Sequence, residues 1–219
     1  MNRKQCVEID NIDKNKIISK FKSNYKEVGF GVPQGSVLGP LLFILYINDI
    51  PKVTQHKCVL FADDISIIVT GNKLNINNYE YDINNTMNDM VAWLNTNNLH
   101  VNLTKTKYIQ FYNKGGHGYD INVRYDQYKI EQTQTSVFLG LSIDCHCDWY
   151  NHIDQVCNKI NKFVYPLYRL SITTSKQTAL QAYHGYVASV LRYGLVLWGN
   201  SAKSNNVFLI QKKMYSCNL

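Results

Sequence analysis

No apolar run in this sequence approaches the roughly 18 residues that a membrane-spanning helix needs. The longest, Pro40 to Ile47, stops well short. The opening residues, Met1 to Gln5, include Arg3 and Lys4 but no apolar core after them, so no secretory leader is expected. The six cysteines (Cys6, Cys58, Cys145, Cys147, Cys157, Cys217) lack the dense regular spacing of a secreted disulfide scaffold and read as thiols of a reducing compartment. Nor is there a block of Lys and Arg that would mark a basic tail. These absences predict a soluble intracellular chain, cytoplasmic or nuclear, with no membrane partner. Its 219 residues suffice for one large or two small domains. Lys and Arg outnumber Asp and Glu by 23 to 16, and the net charge of +7 suits a polyanionic partner such as nucleic acid.

The stretch Phe61-Ala62-Asp63-Asp64 sets two adjacent carboxylates between Cys58-Val59-Leu60 and Ile65 to Val69. Both flanks are β-branched or bulky, which predicts strand, tight turn, strand, with the acids at the tip. An isolated Asp-Asp pair is most often a solvated turn, because Asp bonds readily to nearby backbone. Ahead of it, Gly31 to Pro40 form a loop punctuated by Gly and Pro, in which Ser36 can cap a following helix. Leu41 to Ile47 are apolar on all sides and predict a buried helix that ends near Asn48 to Pro51, with Pro40 in its first turn. A capped core helix does not explain why Gln34, Gly35 and Gly39 gather before it. Bare backbone and an amide there could approach a flat or phosphorylated ligand.

Elsewhere, Cys6 to Ile9 alternate like a short strand. Tyr79, Ile83, Met87, Met90, Val91 and Leu94 recur at helical spacing and predict a core face. Tyr108 to Phe111 and Val137 to Ile143 read as strands, with a polar, Tyr-rich loop or hairpin over 113–135. From Trp149, the positions Ile153, Val156, Ile160, Phe163 and Leu167 step by three or four, an amphipathic helix with Lys159, Lys162 and Arg169 outside. Leu180, Tyr183, Val187, Val190 and Leu191 mark a second helix, and Val207 to Tyr215 a last one. Residues 1–145 thus predict an α+β domain and 146–219 an all-helical one. Cys145, His146, Cys147, His152 and Cys157 invite a zinc reading, but the alternating Cys-x-Cys and a Cys157 on an apolar helix side favour buried thiols.

Gly31-Val32-Pro33-Gln34-Gly35-Ser36-Val37-Leu38-Gly39-Pro40 followed by Phe61-Ala62-Asp63-Asp64 resembles the reverse transcriptases of non-LTR (LINE-type) retrotransposons, especially the jockey-like group. The likeness runs on through Trp93-Leu94-Asn95, Asn98-Leu99, Val101-Asn102, Lys105-Thr106, Phe138-Leu139-Gly140, Trp149 with His152-Ile153, Leu191 to Gly194 and Trp198-Gly199. It implies part of a right-hand polymerase: a palm of antiparallel sheet with packed helices over 1–145, then a helical thumb or connection over 146–219.

By matching position, the resemblance makes Asp63 and Asp64 the catalytic, metal-binding carboxylates, with Asp63 the principal ligand. It implies a two-ion Mg²⁺ site, the ions about 3.5–4 Å apart, that activates a primer 3′-hydroxyl and stabilises the leaving pyrophosphate. Gln34 and Gly35 then lie under the incoming nucleotide and template base, and Lys105 near the pyrophosphate as general acid. Phe138, Leu139 and Gly140 grip the primer end, and the basic helix faces after Trp149 track the heteroduplex. The implied partners are an RNA template, a DNA primer and deoxynucleoside triphosphates. The fingers and the family's other metal-binding Asp have no match here, and Asp10 and Asp13 are too close to the glycine loop to replace it. The chain is therefore expected to be inactive alone, the alternative being a non-catalytic nucleic-acid-binding remnant or a gene relic.

Overall fold

The computed structural model describes residues 3–12, 18–29, 31–32, 35–71 and 75–216. The backbone divides into two compact units, Met1–Thr70 and Gly71–Leu219. In the first, β1 (Arg3–Gln5) and β2 (Glu8–Ile12) lead into β3 (Ile18–Lys22) and β4 (Lys26–Val28). β2 pairs antiparallel with β3, and β1 with β4, so one ribbon is nested in sequence inside the other. The strand expected at Cys6 to Ile9 lies two residues later, and Asp10 faces Lys20 across β2 and β3. Asp13 falls outside the described residues.

α1 (Leu38–Ile47) starts where the sequence places it, with Pro40 in the first turn. The Ser36 hydroxyl accepts the Gly39 N–H at 3.0 Å, which satisfies one of the open donors of that turn. Its expected burial is not found. Leu41, Leu42, Ile44 and Leu45 are exposed, Leu45 by 64%, and only Gly39 and Ile47 are buried. A helix apolar on every side needs neighbours on every side, and the two-stranded ribbons described in this unit do not supply them. A short 3₁₀ turn, Ile50–Lys52, buries Ile50 completely before β5 (Lys57–Phe61) and β6 (Asp64–Ile68) form the acidic hairpin.

The second unit opens with α2 (Ile76–Thr96). Met90, Val91 and Leu94 are buried, while Tyr79, Ile83 and Met87 cover a small cluster of Ile121, Val123 and Ile130. Asn98, at φ 53, takes the left-handed position that ends the helix, and the Leu99 N–H returns to the Leu94 carbonyl at 2.8 Å. Polar side chains of α2 then hold the next segment as a strand neighbour would. Glu80 accepts the Asn122 N–H at 3.1 Å, and Asn84 accepts the Arg124 N–H at 2.8 Å. The strand expected over Tyr108 to Phe111 reduces to β7 (Lys107–Tyr108). The Tyr-rich segment supplies β8 (Arg124–Tyr125), β9 (Tyr128–Lys129) and β10 (Glu131–Gln132); β8 pairs with β9, and β10 runs parallel to β7.

The strand expected over Val137 to Ile143 is a hairpin, β11 (Thr135–Phe138) and β12 (Leu141–Asp144), with Leu139 and Gly140 as its turn. The single helix expected from Trp149 is two, α3 (Tyr150–Asn161) and α4 (Val164–Thr173). Pro166 has no N–H for the Lys162 carbonyl and its ring would clash there, so the helix parts at Lys162 and Phe163. α5 (Lys176–Tyr183), a wide π-type turn (His184–Ala188), α6 (Ser189–Arg192), α7 (Leu195–Trp198) and α8 (Ser204–Tyr215) complete the unit. Ile153, Val156, Ile160, Leu167, Tyr183, Val187, Leu191, Trp198 and Met214 make its core, and Leu141 of β12 joins them. Helices and mostly antiparallel ribbons give an α+β fold; in place of one wider sheet, the described residues form six two-stranded ribbons. No helix among the described residues is long and apolar enough to cross a membrane, and no three metal-ligating side chains converge.

Asp144 closes the β12–α3 connection by accepting the backbone N–H groups of His146 at 3.1 Å, Asp148 at 2.9 Å and Trp149 at 2.7 Å. Asp144→Ala is expected to lower unfolding free energy by about 2 kcal/mol or more, measured by urea denaturation, because three donors lose a charged acceptor. His152 is buried between Trp149 and Trp198; its Nδ1 accepts the Ser142 N–H at 3.3 Å, and its Nε2 has no partner. Burial pushes its pKa below the ordinary 6.5. The unfolded chain therefore binds the proton first, and His152's contribution to stability is full above about pH 6.5 and shrinks as the pH falls below it. The urea midpoint should drop between pH 7 and 5.5, and His152→Gln should flatten that drop; parallel curves for the two proteins would refute the assignment.

Candidate functional site

Two hairpin turns, one in each unit, carry five of the residues that the sequence singles out: Asp63 and Asp64 in the first, and Phe138, Leu139 and Gly140 in the second. In the first unit, Phe61 pairs with Asp64 across β5 and β6, which leaves Ala62 and Asp63 as a two-residue turn. Ala62 has φ 50, a left-handed conformation that costs a non-glycine residue roughly 1–2 kcal/mol. Such strain persists where its surroundings impose it and is concentrated at functional sites. Asp63 and Asp64 are both exposed. Their oxygens are hard donors, of the kind that Mg²⁺ takes, and adjacency on a tight turn lets both serve one locality. Such a pair would be only part of a ligand set. Among the described residues no third acid, His or Cys is grouped with it.

Before the hairpin, Gly35 has φ 82, is exposed, and a Cβ there would meet nothing within 4 Å, so its backbone is open to a ligand. Gln34 lies outside the described residues.

In the second unit, Lys105 sits on a turn that Asn102 organises. The Asn102 carbonyl accepts the N–H groups of Lys105 at 3.1 Å and Thr106 at 3.0 Å, and its side-chain oxygen accepts the Thr104 hydroxyl at 2.6 Å. The Lys105 side chain is left exposed. The second turn is Leu139-Gly140, with φ 49 and 78, the sign pattern of a type I′ hairpin turn whose twist matches its strands. Phe138 closes it against Leu141.

The periodicity of Val137 to Ile143 makes Leu139 and Gly140 strand residues, whereas in the structure they form the turn. Sequence reasoning missed what lies against them. The Tyr193 hydroxyl donates to the Leu139 carbonyl. A Cβ on Gly194 would come within 2.7 Å of the Leu141 side chain and push it aside, and the φ of 63 there also favours glycine. The Trp198 indole N–H in turn donates to the Tyr193 carbonyl at 2.9 Å. The Trp149-His152, Leu191-to-Gly194 and Trp198-Gly199 motifs thus converge on one hairpin, although they are scattered along the chain. The signal available in the sequence was the Gly194 that follows a polar-tipped aromatic.

The basic side chains Lys159, Lys162 and Arg169 are exposed along α3, its end and α4, as their spacing predicts.

Residues 4–143, more than half of the chain, match the family model described as reverse transcriptase (RNA-dependent DNA polymerase). The RNA-directed DNA polymerase from mobile element jockey of Drosophila melanogaster is 25% identical over 218 residues, covering 90% of this chain and 22% of that protein. The probable RNA-directed DNA polymerases from transposon X-element and transposon BS of the same organism are 25% and 27% identical, covering 88% and 80% of the chain. The chain spans about a fifth of the length of these relatives. No solved structure matches it. Polymerases of this family generally use divalent metal ions. The extent of the family match, and relatives drawn from non-LTR, jockey-like elements, bear out the resemblance in the sequence: this chain belongs to the reverse transcriptase family.

Proposed function

We propose that the chain serves RNA-directed DNA synthesis in a non-LTR retrotransposon polymerase, with residues 1–145 as part of the palm and 146–219 as the thumb or connection. The observation that carries this reading is the acidic turn: two adjacent, exposed carboxylates on a strained two-residue hairpin within the region that matches the family. In the proposed reaction a DNA primer 3′-hydroxyl attacks the α-phosphorus of a deoxynucleoside triphosphate paired to an RNA template, and pyrophosphate leaves. Asp63 is the principal metal ligand and Asp64 a weaker one that also orients it. Bound Mg²⁺ would lower the pKa of the hydroxyl and offset charge on the leaving group.

The remaining roles are those the family resemblance implies, and the chemistry of each residue suits them. Gly35 offers open backbone beneath the nucleotide and template base, where Gln34 would add a side-chain amide. Lys105 reaches the pyrophosphate as a point charge with a proton to give. The Phe138-Leu139-Gly140 turn presents rigid backbone to the primer end. Lys159, Lys162 and Arg169 neutralise phosphates along the heteroduplex, which makes binding fall with salt.

Mn²⁺, used as a paramagnetic substitute for Mg²⁺, should broaden the amide resonances of Ala62 to Ile65 selectively, and Asp63→Asn with Asp64→Asn should abolish the effect; uniform or absent broadening would refute the metal assignment. RNA-templated extension of a DNA primer with Mg²⁺ tests the reaction. The chain alone is expected to incorporate little, and whatever incorporation it supports should fall at least about 100-fold in Asp63→Ala, in keeping with loss of a direct metal ligand. Measurable incorporation that is equal in the two proteins would remove Asp63 from the site.

A further inference from the structure

The hairpin turn at Leu139 and Gly140 is held from outside its own ribbon. Its flanking residues pair in the ordinary way, Phe138 with Leu141 and Thr135 with Asp144. That pairing leaves the Leu139 carbonyl at the tip, on a residue whose φ of 49 is unfavourable for a side chain of its size. The group that takes up this carbonyl is the Tyr193 hydroxyl, 54 positions further along the chain. The same phenol lies over Gly140, where a Cβ would sit 3.6 Å from the ring. Tyr193 is in turn fixed by its own carbonyl, which accepts the indole N–H of the buried Trp198 at 2.9 Å, and by Gly194, which packs against Leu141. Half of the Tyr193 side chain nevertheless remains exposed, and Trp198, Leu191 and Tyr183 fill the neighbouring core without it. A residue so placed adds little to the core and sets the angle of one turn.

We propose that Tyr193 is a positioning residue that fixes the Leu139-Gly140 turn for contact with a recessed primer 3′ end. The inference rests on the primer-grip reading of Phe138, Leu139 and Gly140 given above. Tyr193 acts through its hydroxyl and does not touch the reacting atoms. Removing the hydroxyl leaves the ring over Gly140 but frees the Leu139 carbonyl to turn, so the ribbon persists and its tip loses its fixed orientation.

The test compares two probes on the full chain by fluorescence anisotropy: a DNA primer on an RNA template with a recessed 3′ end, and a blunt RNA–DNA duplex of the same length. The parent chain should hold the recessed duplex more tightly. Tyr193→Phe should weaken that binding about three- to tenfold, the range set by one hydrogen bond, with blunt-duplex affinity unchanged and the melting temperature lowered by no more than a few degrees. Gly140→Ala, which strains the turn at φ 78 directly, should cause the same selective loss. If Tyr193→Phe binds the recessed duplex as the parent does, or loses both duplexes equally with a lower melting temperature, the positioning role is overturned and the primer-grip reading stands. A parent chain that does not distinguish the two duplexes overturns both.

Discussion

One hydrogen bond in the second unit has consequences out of proportion to its energy. The indole of Trp198 is almost wholly buried, and its single donor is spent on the Tyr193 carbonyl. Burying that N–H unpaired would cost about 1–3 kcal/mol, so the bond fixes the backbone of Tyr193 wherever the core fixes Trp198. Gly194, with φ 63, then turns the chain into α7 and lets it press on Leu141. On its other side the same core holds His152, whose ring accepts the Ser142 N–H of β12. The β11–β12 ribbon, too short to be stable alone, is thus gripped at its tip and along one strand by helical elements.

The acidic turn obeys a different constraint. Two carboxylates about 4 Å apart repel by ~1 kcal/mol in water and by ~4 kcal/mol at the effective dielectric of a protein surface. Exposure at the end of β5 and β6 keeps the lower figure in force, so the hairpin tolerates the pair. Closing any ligand over them raises the repulsion, and a divalent cation is what offsets it. The same position that makes the pair tolerable in the free chain makes it demanding when occupied.

Much of this was legible in the residues, and the failures have physical causes. The hairpin around Asp63 could be read because β-branched flanks and turn acids agree, and the α2 face because its apolar residues keep helical spacing from Tyr79 to Leu94, about four turns. Val137 to Ile143 looked like one strand because a two-residue turn preserves the alternation of Val137, Leu139, Leu141 and Ile143; only Gly140 betrayed the bend. The joint between α3 and α4 was hidden for a like reason, since Ile160, Phe163 and Leu167 keep their spacing across it while Pro166 breaks the backbone. Ile121, Val123 and Ile130 went unread inside a polar, Tyr-rich stretch, because their partners are side chains of α2. For α1 the composition was read correctly and the inference from it failed: all-round apolarity states a need for neighbours and cannot say whether they are there. The Tyr193 contact joins residues 54 positions apart, beyond the reach of any local pattern.

The wide turn at His184–Ala188 gives the last of these relations its phase. Ala179, Tyr183, Val187 and Leu191 are buried at intervals of four, and in a regular α-helix each such step drifts by about 40°, so the row would wind away from the core. The π-type turn carries one residue more than an α-turn and takes up the drift. It works as a one-residue insertion that keeps α5 and α6 facing the same way. Closing it into regular α-turns with every residue kept would rotate everything after it by about 100°, carrying Tyr193 off the hairpin it holds. Helix length here is a timing element, and the register of the clamp is written into a single extra residue.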